Sequence, residues 1–203
     1  MPVVLETGSK FNLCKVTKAL GKININLNWN SNPNQNSKSK NFFKSLISAN
    51  NCTDLDLGCF YELKNGRRGA IQALGNSFGD YYKPPYVMLE NKGRINNTNG
   101  KSLLINKGRI KEIQRILIYT FIYNGTVSWK QMEGRVTIQI DGKEDTLINI
   151  DKYDDKYPMC ALMMLENIDD KSFEVEKIVD FFKGHREMDK EYNWNLKWVA
   201  RKI

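Results

Sequence analysis

Apolar and polar residues alternate cleanly from Lys22 to Trp29, KININLNW, placing Ile23, Ile25, Leu27 and Trp29 on one face of a half-buried strand. Arg135 to Ile140, RVTIQI, repeats the pattern, and Asp141-Gly142 turns it towards a partner over Thr146 to Ile150. Ile116 to Tyr123 is apolar throughout, short for a helix and rich in Ile, Tyr and Phe, so it predicts a central strand. Leu57 to Leu63 and Met159 to Asn167 predict two more strands. Asn65-Gly66 is a hairpin signal, because both central residues of such a turn tolerate positive φ, and Arg67 to Leu74 returns as the partner strand. Tyr86 to Glu90 and Leu103 to Ile105 are shorter strands. Phe173 to Phe182 alternates weakly and pairs with Met159 to Asn167. Asn193 to Arg201 predicts a last strand with Trp194, Leu196 and Trp198 on one face.

Between these runs lie a helical turn at Ile110 to Gln114, a bend at Trp129 to Gly134, and a short helix at Lys183 to Glu191. Tyr81 to Pro85 is an extended connector, because its prolines disfavour helix. Many short strands separated by turn residues predict an all-β fold, a two-sheet β-sandwich with one or two short helices. No βα unit repeats, which disfavours a parallel α/β sheet. Residues 1–20 form a lead in which Val3 to Leu5 is either a short strand or an unordered stretch. Residues 21–203 form a single domain. Within it, Asn30 to Asn51 (NSNPNQNSKSKN at its centre) buries too little apolar surface to order itself and reads as a long loop, in which Phe42, Phe43, Leu46 and Ile47 form a short amphipathic turn.

The 203 residues suffice for one well-buried domain. Lys and Arg exceed Asp and Glu by 31 to 23, a net charge of +8, spread along the chain with no arginine-rich run. Such a surface is a solvated basic one or one that meets polyanions. Cys14, Cys52, Cys59 and Cys160 have no CxxC spacing and read as buried, reduced thiols. The N-terminus MPVVLETGSK lacks a signal-peptide apolar core, and no run is long enough to span a bilayer, so a cytoplasmic protein is expected.

The stretch DLDLGCFYELKNG, followed by IQALGNSFGD, resembles the TerD/TerA group of tellurium-resistance and stress-response proteins, in its TerA-type branch. The resemblance continues through PPYVMLE, ILIYTFIYNG, SWKQMEGRVTIQI, CALMMLEN and FFKGHREMD to WNLKWVA. It implies a β-sandwich whose loops at one end can bind Ca²⁺, with ligands drawn from the DLD strand and two polar loops. It also implies action through other stress-response or tellurium-resistance proteins.

Calcium wants six to eight hard oxygens on flexible loops. The candidate suppliers are Asp54, Asp56, Asn76, Asp80, Asn96, Asn97 and Asn99, with loop carbonyls. Strand alternation puts Asp54 and Asp56 on one face. Where the calcium-binding TerD branch has acidic clusters, this chain reads NKGRINNTNGKSL, with no carboxylate and with Lys92, Arg94 and Lys101. Each lost carboxylate removes attraction and each lysine adds repulsion, so the expected site is weak, in the millimolar regime. The alternative is that both aspartates simply bond loop amides. Asp151, Asp154 and Asp155 are a second acidic loop, read as a solvated turn.

His185 stands four residues before Asp189 in KGHREMDK, the spacing of a base and its orienter on one helix face. No nucleophile motif, P-loop or dinucleotide fingerprint accompanies it, and a histidine that caps a helix or bridges strands is the other reading. No flanking charge pattern lowers a thiol pKa for tellurite chemistry; the nearest is Cys14-Lys15. The expected function is therefore a non-enzymatic binding domain with a weak or degenerate calcium site. The alternative is a basic nucleic-acid or membrane-surface binding module.

Overall fold

Alternating strands and uninterrupted apolar strands sort into different sheets. The computed structural model describes residues 2–13, 21–30, 54–90, 100–124 and 128–198. Its strands are β1 (Val3–Val4), β2 (Lys10–Asn12), β3 (Lys22–Asn28), β4 (Asp54–Leu63), β5 (Arg68–Ile71), β6 (Gly79–Asp80), β7 (Val87–Glu90), β8 (Gly100–Asn106), β9 (Ile113–Asn124), β10 (Arg135–Ile140), β11 (Thr146–Asn149), β12 (Met159–Ile168) and β13 (Ser172–Phe182). They form a seven-stranded sheet in the order β1-β11-β10-β3-β8-β7-β6 and a six-stranded sheet in the order β2-β13-β12-β9-β4-β5. The all-β, two-sheet sandwich read from the sequence is the fold observed.

In the seven-stranded sheet, one face is wet. Ile23, Ile25 and Leu27 of β3 and Val136 and Ile138 of β10 enter the space between the sheets, while the intervening residues are half-buried or exposed. The central strands of the six-stranded sheet are buried on both faces. From β4, Leu55, Leu57, Cys59, Tyr61 and Leu63 join the inter-sheet core, whereas Phe60 belongs to a second apolar cluster. From β9, Ile113, Ile116 and Ile118 point with the first set, and Leu117, Tyr119 and Phe121 with the second. This two-sided burial is why these strands read as continuous apolar runs. A Cβ on Gly58 would lie 2.6 Å from the ring of Tyr119, so glycine there lets the aromatic lie flat on the sheet.

Among the described residues, three short helical elements connect and cover the sheets. A 3₁₀ helix at Lys107–Glu112 links β8 to β9, somewhat earlier than the turn read from the sequence. Helix α1 (Trp129–Met132) occupies the expected bend. Helix α2 (His185–Glu191) follows β13, where a short helix was expected. Residues 193–198 are not the last strand that their alternation suggested. Asn193 and Asn195 have φ of 55° and 56°, left-handed values that break an extended ladder. The segment instead lies over the six-stranded sheet: Trp194 is fully buried in the second cluster, with Leu196 and Trp198 packed against it. Gly79 and Asp80, read as loop, pair with β7.

The first residues carry two strands, so the lead is stitched into both sheets: β1 runs parallel to β11, and β2 pairs with β13. Lys177 explains the stitching. Its side chain is 1% exposed, and its ammonium donates to the carbonyl of Leu5 at 3.0 Å and to Asp151 at 2.5 Å. Its backbone brackets the turn between the two strands, with Gly8 N–H donating to Lys177 O and Lys177 N–H to Ser9 O. Residues 31–51 of the expected loop, and Cys14 and Cys52, lie outside the described residues.

Lys177→Met keeps the buried stem and removes the charge. Asp151 is 39% exposed and can rehydrate, but the Leu5 carbonyl loses its donor. The expected loss is about 2 kcal/mol of stability, with faster hydrogen exchange at the amides of Val3 and Leu5. Unchanged exchange at those two amides would show that the N-terminal strands are held by something else.

Candidate functional site

The DLD stretch opens β4 at one rim of the sandwich. Asp54 pairs with Asn124 across the ladder, and the register then shifts between Asp54 and Leu55, so that Leu55 faces Ile122. On the other side, β5 pairs only with Cys59 to Glu62, so among the described residues no strand neighbours that margin of β4 at Asp56. Lys101 reaches Asp56 from the opposite sheet. It is the inward position of β8 that follows Leu103 and Ile105 towards the rim, and its Nζ lies 3.0 Å from Asp56 Oδ1. The aspartate side chain is 6% exposed and the lysine 31%. The contact is an ion pair without hydrogen-bond direction, since Oδ1 is buried and receives no well-aligned donor. A lysine read from sequence as repulsion towards a metal is therefore the partner of the acid itself.

Asp80 is not gathered at this point. Asp80 pairs with Val87, Val87 with Ile105, and Ile105 is four residues along β8 from Lys101, about 13 Å at the rise of a strand. Its carboxylate accepts the N–H groups of Tyr82 at 2.7 Å and Lys83 at 2.8 Å. The bonds from Lys83 and then Tyr82 hold its pKa below the usual carboxylate value. Asn76 sits in the turn after β5 with φ 57°, its N–H donating to Ala73 O. Asn96, Asn97 and Asn99 lie outside the described residues, as do Lys92 and Arg94. Among the described residues no three His, Cys, Asp or Glu side chains group as a metal set. Calcium needs several convergent oxygens; among the described residues Asp56 is tied to an ammonium and Asp80 to backbone amides.

The second acidic loop is structural rather than a solvated turn. Asp151 holds Lys177; burial works against its charge, and the ammonium overcomes this and lowers its pKa. Asp155 accepts the N–H of Trp129 at 2.9 Å, at the start of α1, and Trp129 Nε1 donates to Tyr157 O at 2.8 Å.

His185 sits at the start of α2 among rings rather than beside its expected orienter. Trp198 (5.3 Å between centroids), Tyr119 (5.4 Å), Phe121 (5.8 Å) and Phe60 (6.3 Å) surround it. Its Nε2 is buried without a hydrogen-bond partner, and burial lowers its pKa to about 4. The Asp189 carboxylate is used on the tail, accepting Leu196 N–H at 3.1 Å and the indole N–H of Trp198. The tail is also clamped by a network that the sequence did not signal beyond a lone acid in an apolar strand. Glu62 binds Arg68 and Arg115, each at 2.6 Å, and these guanidiniums donate to the carbonyls of Trp194 and of Tyr192 and Asn193. Arg115 also stacks 4.2 Å from the centre of the Trp194 ring.

Cys59 and Cys160 are free and fully buried, and desolvation raises both pKa values well above that of an ordinary thiol. Tyr119, whose hydroxyl donates to Gln72 at 2.7 Å, is raised by the same cause. No helix among the described residues is long and apolar enough to cross a membrane.

No family model matches the chain. Over 154 residues it is 38% identical to the tellurium resistance protein TerA of Alcaligenes sp, covering 75% of this chain and 45% of that protein. The chain thus spans about half the length of this curated relative. Among solved structures, SAV2460, a protein of unknown function, shares the fold at TM-score 0.52 and 11% identity, over 85% of this chain and 95% of that one. A homologue of telluride resistance protein (TerD) from Streptomyces coelicolor A3(2) aligns at TM-score 0.48 and 12% identity, over 84% and 95%.

The histidine generates a pH prediction. The unfolded chain takes up this proton near pH 6.5 and the folded chain only near pH 4, so between these values the unfolded state binds more protons. Stability therefore falls as pH drops through this window, by about 2 kcal/mol at roughly pH 5, and the term vanishes above it. His185→Gln should lose less stability than the parent between about pH 7 and pH 5, measured by urea unfolding. Parallel pH profiles for the two proteins would contradict the burial of a neutral imidazole.

Proposed function

Because the chain belongs to the TerD/TerA family of tellurium-resistance proteins, we propose that it is a non-enzymatic binding module of a cytoplasmic stress-response assembly. It acts through protein partners, and its calcium site is degenerate, with affinity in the millimolar regime or weaker. The placement of the reactive groups carries this reading. A nucleophile or reductant must be exposed and ionisable at neutral pH. Cys59 and Cys160 are fully buried with raised pKa values, and His185 meets four aromatic rings. These groups serve packing, which leaves the surface and the rims for recognition.

Thiol accessibility tests the reading. In a C14S/C52S variant, Cys59 and Cys160 should stay unmodified by an aromatic disulfide reagent in the native state and react fully in denaturant. Prompt native-state reaction would reopen thiol chemistry with tellurite and sink the non-enzymatic account.

The net charge of +8 supports the second reading, a basic surface that binds nucleic acid or anionic membrane. Duplex affinity that falls steeply with added salt would favour it. Absence of binding at low salt would remove it.

A further inference from the structure

The DLD rim holds a cation of its own. Calcium sites work by neutralising clustered carboxylates and by tying together the segments that carry them. The Lys101–Asp56 contact has both properties. It places a positive charge 3.0 Å from a carboxylate that is 6% exposed, and it joins β8 of one sheet to β4 of the other. The lysine stands where strand alternation calls for an inward apolar residue, two positions from fully buried Leu103. An inward lysine with no acid to meet would carry an uncompensated charge into the sandwich, and Asp56 Oδ1 has no aligned donor to replace it.

We infer that the ammonium of Lys101 is a resident cation, which ties the two sheets together at this rim without metal and keeps divalent ions away from Asp56. The inference rests on the degenerate-calcium reading above and supplies its physical cause. An ammonium tethered to the fold is present at Asp56 at any calcium concentration. A divalent ion approaching Asp56 would meet like charge and would have to displace a side chain covalently held at the spot.

A thermal double-mutant cycle with Asp56→Asn, Lys101→Met and the double variant tests it, each melted with and without submillimolar CaCl₂. Without calcium, each single variant should melt about 5 °C below the parent, and the double variant should recover to within about 2 °C of it, because no charge is left unpaired. With calcium, the parent, D56N and the double variant should not move. K101M, freed of its ammonium, should rise by about 3 °C. Additive losses in the cycle, or a K101M protein as blind to calcium as the parent, would overturn the role of Lys101 while leaving the binding-module reading in place. A parent that calcium stabilises at these concentrations, with the effect lost in D56N, would overturn both this inference and the degenerate site.

Discussion

The six-stranded sheet has to be covered on both faces. Its three central strands carry apolar side chains in both directions, and neither set can be left in water without forfeiting roughly 25 cal/mol for each Å² exposed. The other sheet covers one face. The opposite face, with Phe60, Leu117, Tyr119, Phe121 and Met164, is too broad for a single short helix. Helix α2 contributes Met188, and the tail beyond it contributes Trp194, Leu196 and Trp198. The polar devices of the C-terminal region then follow. Glu62 orients Arg68 and Arg115 towards the tail carbonyls, and Asp189 ties Leu196 and Trp198 back onto the helix that carries it. His185, buried under the same tail, gives up its proton because this layer excludes water.

Alternation made the wet-faced sheet legible from sequence, because a strand with one solvated face must alternate. KININLN and RVTIQI lie side by side in register, Ile25 opposite Ile138 and Leu27 opposite Val136. The uninterrupted runs were legible as strands, but their continuity also meant two-sided burial, and the tail is the element that this demand recruits. Trp194, Leu196 and Trp198 alternate because one side of the segment is apolar, yet alternation reports a buried side and not a ladder. The lead was legible only in part: Val3 to Leu5 offered a strand or an unordered stretch, and β1 is a strand there. Its strands are two and three residues long, and besides their ladders a lysine more than 160 positions away helps to hold it, a contact no local pattern encodes.

The acidic candidates separated for the same reason. Asp54, Asp56 and Asp80 are close in the chain and alike in chemistry, but register is a long-range property. β6 meets β7 at the level of Ile105, far along β8 from the DLD rim. Sequence proximity within a β-sandwich says little about which rim a residue occupies, since a strand of seven residues spans about 20 Å.

Two of the cations in this basic chain point inward. Lys177 and Lys101 each meet an aspartate, and each links distant parts of the chain: Lys177 adds to the backbone ladder between the lead and β13, and Lys101 bridges the two sheets. Both pairs are neutral and leave the formal charge of +8 as it was, but that figure understates the role of lysine in the fold. An inward lysine that meets one carboxylate needs no ordered loop of oxygens around it, whereas calcium needs six or more. The Lys101–Asp56 contact ties the two sheets by this simpler means.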